Sequence, residues 1–224
     1  MKISWIGLAA GFLSLTVSAQ EAPRQLKFSA ADHQIWQLTL QRPVDDGVQT
    51  LARLNTLGFQ LPAQQALLWA QRCRFALQTG DKTMLESARA ALKALENTTA
   101  PGEFAGSAAG YKCQQLSKFN AGESMETRQL GFLAYHSLTG RDAPALHAWI
   151  GLDYARDALH SGFADSAASA VALVLSIARH NLLAQLEADS LVVQAEVQTA
   201  LGQYPEALRS IHKALALQTD ASQQ

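Results

Sequence analysis

The chain has 224 residues, of which 48% are hydrophobic and 17% charged, and its formal net charge is −1. This balance is that of an ordinary globular protein, without the acidic or basic excess that would indicate binding to nucleic acid or to an anionic membrane. Alanine and leucine, which are among the best helix formers, recur throughout, and no β-branched or aromatic run alternates for more than a few residues. The composition predicts an all-α protein.

The first 19 residues have the parts of an export signal. Met1 and Lys2 give a short basic start, residues 3–17 are mostly apolar, and Val17-Ser18-Ala19 supplies the small residues of a cleavage site. We predict a signal peptide over 1–19 and a mature periplasmic protein, with secretion as the second choice. A retained N-terminal membrane anchor is the alternative, although this run is shorter than the about 20 residues of a typical span. The apolar stretch 167–178 is shorter still, so no membrane span is predicted in the mature chain.

A flexible leader is predicted over residues 20–27, a helical-repeat domain over 28–217 and a frayed tail over 218–224. Within the domain the patterns of apolar residues predict helices in pairs. The predicted pairs are 29–41 with 44–58, 62–79 with 81–96, 107–120 with 124–139, 142–161 with 163–180, and 182–201 with 204–217. The first pair is weaker, and Arg42-Pro43 stands at its break where a glycine would be expected.

A glycine separates the two helices of each of the last four pairs. These are Gly80, Gly122, Gly162 and Gly202, which stand 42, 40 and 40 residues apart. A fixed period of this size is typical of a solenoid, in which one helix pair cannot bury its apolar side alone and must stack on its neighbours. The spacing therefore predicts an α-solenoid of stacked antiparallel helix hairpins, a fold that favours binding over catalysis.

The last hairpin resembles the second half of a tetratricopeptide repeat. That family expects, after the glycine, an aromatic residue at the second position, small residues at the fifth and twelfth, and a bulky apolar residue at the ninth. The sequence has Gly202, Tyr204, Ala207, Ile211 and Ala214 at these places. The period near 40 resembles the long-repeat variant found in bacterial regulators and sensors. The resemblance implies a superhelix over about residues 60–217.

The first helices resemble the family less evenly. A small residue is expected seven positions before each glycine, where the two helices of a hairpin cross closely. Cys73, Ala155 and Ala195 fit this expectation, whereas Gln115 departs from it.

Two cysteines, Cys73 and Cys113, stand one repeat apart. In an exported protein an even pair is interpreted first as a disulfide, here between corresponding helices of adjacent hairpins. Two buried free thiols are the alternative. No C-x-x-C motif or Cys/His cluster accompanies the pair to indicate a metal site.

Motifs that could support catalysis have structural interpretations. The segment Ser210-Ile211-His212-Lys213 fits the S-x-x-K motif of penicillin-recognising enzymes, but the Ser-Asp-Asn-like and Lys-Thr-Gly-like elements of that family are missing. The six histidines fit no metal motif. Asp153 and Asp157, four residues apart on one helix face, are interpreted as solvated surface charge. We predict no enzyme activity, no catalytic residue, no metal and no cofactor.

The family resemblance implies a concave face lined by the first helices, on which partners bind. Carried over by position, the candidate partner-binding residues are Arg74, Lys112, Phe119, Trp149, Arg156 and His160. Of these, Arg74, Lys112 and Arg156 would form a ladder of positive charge. Cations flanked by aromatic anchors can hold an acidic segment or a C-terminal carboxylate.

The functional hypothesis is an exported adaptor that binds a partner protein or peptide on this concave face. The alternative is a periplasmic sensory input module of a bacterial signalling system, as a fragment of a larger receptor or acting through a separate one. An enzyme of an unrecognised helical class is the third hypothesis, and it would need a polar cluster in a closed pocket.

Overall fold

A computed structural model describes residues 27–40, 52, 61–98, 105–120, 124–138 and 143–221. Over these ranges the chain is helical with short turns and contains no strand, which confirms the predicted all-α fold for this part. The helices are Ala30–Leu40 (α1), Pro62–Thr79 (α2), Lys82–Thr98 (α3), Ala105–Asn120 (α4), Ser124–His136 (α5), Pro144–His160 (α6), Ala164–His180 (α7), Ala184–Ala200 (α8) and Tyr204–Ala221 (α9). The predicted signal peptide and almost all of the predicted leader and of the helix 44–58 lie outside the described residues.

The helix ends lie within four residues of the predicted ends from α2 onward. Pro62 and Pro144 begin α2 and α6, where the ring fits the first turn and the missing N–H is not needed. The largest difference is at the C-terminal end, because α9 continues to Ala221, four residues into the segment predicted to fray. Leu217 packs against the core there and extends the buried side of the helix.

The turns between paired helices use the conformational freedom of glycine. Gly80, Gly162 and Gly202 have φ values of 74°, 85° and 74°, in the left-handed region. Only a residue without Cβ adopts this region without strain, and a left-handed glycine is a common helix terminator. Three of the four predicted glycine turns are thereby observed, and Gly122 lies outside the described residues.

Each helix packs mainly against its neighbours in the chain, as expected for stacked hairpins. The two helices of each pair contact each other, and each second helix contacts the next first helix. Successive first helices (α2, α4, α6 and α8) also contact one another, whereas within the described ranges no second helix (α3, α5, α7 or α9) contacts another. The first helices therefore lie closer together than the second helices. We call the side that they form the inner face.

Small residues allow the close packing of this stack. Cys73, Ala155 and Ala195, seven positions before a glycine, are all buried. Gly151 in α6 is a further close approach, because a Cβ there would lie 2.9 Å from Cγ2 of Val174 in α7. None of the helices in the described part of the chain is long and apolar enough to cross a bilayer.

Cys73 on α2 and Cys113 on α4 meet at the distance of a disulfide bond. Their sulfur atoms are 2.01 Å apart and their Cα atoms 5.7 Å apart. Both side chains are buried in the core between the first two hairpins. The pairing predicted from the one-repeat spacing is therefore the one that the fold brings together.

Helix α1 does not simply extend the stack at one end. It contacts α2 and α6, both of which are first helices, and it touches no second helix among the described residues. The backbone N–H of Phe28, just before α1, donates a 2.6 Å hydrogen bond to Oδ1 of Asn181 in the α7–α8 turn. Phe28, Ile35 and Trp36 are buried in the core. The helix predicted to pair with α1, residues 44–58, lies outside the described residues.

One turn residue is held in a strained conformation. Leu182, between α7 and α8, has φ 55° and is 90% exposed, so its side chain gains almost nothing from packing. We expect Leu182→Gly to raise the free energy of unfolding by about 0.5–1 kcal/mol, because relief of the strain outweighs the larger entropy of the unfolded glycine chain. Urea denaturation would measure the change. The exposed Leu201→Gly, at a turn residue with φ −87°, should not stabilise the protein.

Candidate functional site on the inner face

The six residues predicted to contact a partner all lie on first helices. Arg74 is on α2, Lys112 and Phe119 are on α4, and Trp149, Arg156 and His160 are on α6. The side chain of Phe119 lies outside the described part of the structure. The other five side chains range from fully buried to exposed, and this difference decides which of them a partner could reach.

Lys112 is the buried member of this set and it is paired within the chain. The residue is 2% exposed, and its Nζ lies 2.6 Å from Oδ2 of Asp153 on α6. Nζ also donates a 2.7 Å hydrogen bond to Oε1 of Gln115 and lies 5.4 Å from the centre of the Trp149 ring. A buried ammonium needs such compensation, because its removal from water is costly. Lys112 therefore joins α4 to α6 and is not accessible to a partner.

Gln115 carries the polar contacts from Lys112 to a second carboxylate. Its Nε2 donates a 2.9 Å hydrogen bond to Oδ2 of Asp157, which is half-buried. Burial raises the pKa of Asp157 above its usual value, and the charge of Lys112 and the hydrogen bond from Gln115 oppose that shift. Gly131 of α5 lies directly against this contact, because a Cβ there would be 2.6 Å from Nε2 of Gln115.

Two arginines complete the cluster around Asp153. Nη1 of Arg156 lies 3.7 Å from Oδ1 of Asp153, on the side of the carboxylate that Lys112 does not use. Burial lowers the pKa of the Arg74 guanidinium, and the negative charge of Asp153 acts in the opposite direction. We call the set Arg74, Lys112, Gln115, Asp153, Arg156 and Asp157 the polar cluster.

The polar cluster changes two interpretations made from the sequence. The three cations of the predicted ladder are brought together, but Asp153 and Asp157 compensate their charge within the chain. The interpretation of the two aspartates as solvated surface charge was therefore wrong, because both are partners of buried groups. Arg156, with 42% of its side chain exposed, and the exposed His160 are the most accessible of the five described side chains of the predicted set.

A recess lies between α5 and α6. It has a volume of about 380 Å³, and its wall includes Phe132, Tyr154, Asp157 and Phe163. Phe132 and Phe163 are 49% and 64% exposed, which is unusual for phenylalanine. Tyr154, in the wall of this recess, stacks on Tyr135 with ring centres 4.3 Å apart, and this contact holds its ring in place.

Two residues in and beside the polar cluster could have been found from the sequence. Gln115 was the one first-helix residue that broke the small-residue pattern, and this departure is now explained by its bonds to Lys112 and Asp157. Gly131 stands inside α5, where glycine costs about 1 kcal/mol relative to alanine, so a packing reason was to be expected. Contact with the Gln115 amide is that reason.

In the described ranges, no group of three or more His, Cys, Asp or Glu side chains is placed to hold a metal ion. Comparison with protein-family models, with curated proteins and with solved structures finds no match to this chain.

Proposed function

We propose that this protein is an exported, periplasmic adaptor of the tetratricopeptide-like class that binds a partner protein or peptide on its inner face. The observation that carries the proposal is the arrangement of the first helices. They contact one another in succession, and α1 packs against two of them, α2 and α6. Stacked hairpins of this kind present long surfaces suited to extended or helical segments.

The accessible polar residues of the inner face supply the contacts for this recognition. Arg156 is half-exposed and bonded to Asp153 only at 3.7 Å, so its guanidinium can turn to a partner carboxylate. His160 lies four residues further along α6, on the same side of the helix and exposed. Trp149 is half-buried and forms an aromatic edge on the same helix. The partner therefore carries an acidic group beside an apolar segment.

Site-specific crosslinking in the native cell envelope tests this proposal. A photo-crosslinking residue at His160 should trap one main partner, and the same residue at Ser176, which is exposed on α7, should not. In the chain with the crosslinker at His160, Arg156→Glu should reduce the adduct at least about tenfold, as for a contact worth about 1.4 kcal/mol or more. Arg179→Glu on α7 is the charge-matched control. Equal adducts with Arg156→Glu and Arg179→Glu would refute recognition on the inner face.

A further inference from the structure

We propose that the recess between α5 and α6 binds a small zwitterion of the amino-acid class, which carries an ammonium, a carboxylate and an apolar side chain. In this assignment Asp157 binds the ammonium and Arg128 binds the carboxylate, while aromatic rings of the recess contact the apolar part. The inference goes beyond the proposed protein partner, and no step of it uses that partner.

The recess forms where one face of α5 meets one face of α6. Gly131 and Phe132 follow Arg128 by three and four residues on α5, so the three lie on the same side of that helix. Tyr154 and Asp157, three residues apart, share a side of α6. Because a Cβ at residue 131 would lie 3.2 Å from Oδ2 of Asp157, the glycine lets α5 approach this carboxylate closely. Each helix therefore contributes one charged and one aromatic residue to the lining.

Two opposite charges line this recess without pairing with each other. Arg128 is exposed and forms no ion pair or hydrogen bond with any described residue. Asp157 is half-buried, and its Oδ2 accepts the hydrogen bond from Gln115, whereas its Oδ1 accepts none from the described part of the chain. A ligand that carries both a cation and an anion can satisfy both side chains at once.

The carboxylate of Asp157 would gain from a further cation. Burial raises the pKa of this residue, and the neighbouring charge of Lys112 and the hydrogen bond from Gln115 do not fully offset the shift. The charged form of Asp157 is therefore incompletely compensated within the protein. An ammonium group beside Oδ1 would supply the missing interaction.

The aromatic residues of the recess favour a ligand with an apolar side chain. Phe132 and Phe163 line the recess and are exposed, so a ligand between them would remove apolar surface from water. The ring of Tyr154 lies 6.3 Å from that of Phe132, edge to face, and aromatic faces also attract ammonium groups. The volume of about 380 Å³ falls within the range of about 300–1,000 Å³ that is usual for small-molecule sites.

The two charges should make the site selective for zwitterions. A ligand with a carboxylate alone leaves Asp157 without a partner and is repelled by it. A ligand with an ammonium alone has the same disadvantage at Arg128. Since a site built for polar groups discriminates strongly against analogues that lack one of them, molecules with a single charge should bind weakly.

Isothermal titration calorimetry of the full chain with three related probes tests the assignment. L-phenylalanine carries both charges, phenylethylamine carries only the ammonium, and phenylpropionate carries only the carboxylate. We expect L-phenylalanine to bind with a Kd below about 1 mM, and each analogue to bind at least about tenfold more weakly. If L-phenylalanine does not bind, or if either analogue binds as tightly, the inference is overturned.

Variants that remove one charge assign the two ends of the ligand. In the Arg128→Gln chain, L-phenylalanine should lose at least about tenfold in affinity and bind no better than phenylethylamine. In the Asp157→Asn chain, it should bind no better than phenylpropionate. Arg209→Gln and Asp165→Asn remove exposed charges outside the recess and are the matched controls, which should bind L-phenylalanine as the unchanged chain does.

The Arg128→Gln variant keeps the test decisive whatever happens at Asp157. Asp157 belongs to the polar cluster, so circular dichroism with urea unfolding checks that Asp157→Asn is folded. Arg128 is exposed and unbonded among the described residues, and its replacement should leave the fold unchanged. Undiminished binding of L-phenylalanine to the Arg128→Gln chain would overturn the inference. The assay contains no cellular partner, so its failure leaves the proposed function untouched.

Discussion

Removal of the Cys73–Cys113 bond by the double change Cys73→Ala and Cys113→Ala is expected to lower the free energy of unfolding by about 4 kcal/mol. The two residues are 40 positions apart and connect α2 to α4. In the chain-entropy account, a crosslink over a loop of this length restricts the unfolded chain and so destabilises it relative to the folded protein. Since a domain is stable by only about 5–15 kcal/mol in total, this bond accounts for a large fraction of that stability.

Urea unfolding of the oxidised protein, with and without reductant, measures the effect. The unchanged protein should lose stability on reduction, and the double variant should not respond to reductant. Amide hydrogen exchange should increase more in α2, α3 and α4 than in α8 and α9, because stability in a stack of repeats depends mainly on neighbours. Labelling of two thiols in the unreduced, denatured protein would show that the bond does not form.

Asp153→Ala is expected to destabilise the protein by about 2–3 kcal/mol, more than any exposed ion pair of the described chain. Its loss leaves the Lys112 ammonium buried with Gln115 and the Trp149 ring as its remaining close partners. Removing one partner of a fully buried pair typically costs about 3–5 kcal/mol. Asp153 is 36% exposed, so water can enter the vacated space and reduce the loss.

A double-mutant cycle separates the ion pair from other effects of this change. Combining Asp153→Ala with Lys112→Met removes both charges. The free energy of unfolding of the double variant should then fall by at least about 1 kcal/mol less than the sum of the losses in the two single variants. Glu206→Ala is the matched control, because it breaks the exposed pair with Arg209 and should cost less than about 1 kcal/mol. Additive single effects at Lys112 and Asp153 would contradict a role of the polar cluster in joining α4 to α6.

Local patterns predicted the helices well because each depends on residues near one another in the chain. The glycines and prolines between the helices act through their own φ angles. Gly80, Gly162 and Gly202 therefore predict turns from the sequence, and the structure has turns at all three. The disulfide was predictable for a similar reason, since a one-repeat spacing places both cysteines at equivalent positions of adjacent hairpins.

The inner face was predicted less well, because charge and burial there depend on contacts between repeats. The sequence places Arg74, Lys112 and Arg156 on first helices, and the structure does so too. Whether they repel, bind a partner or are compensated depends on Asp153, which lies 41 residues beyond Lys112 and meets it only when α4 packs against α6. A pattern read along one helix does not contain that contact.

The sequence by itself determined the all-helical fold, the glycine turns and the cysteine pairing, since these follow from backbone preference and repeat spacing. Only the tertiary structure decided what occupies the inner face. Phe28 and Asn181 are 153 residues apart, yet the N–H of one bonds to the side chain of the other. Helix α1 likewise contacts both α2 and α6, which are far apart in the sequence, and no local preference encodes such an outcome of packing.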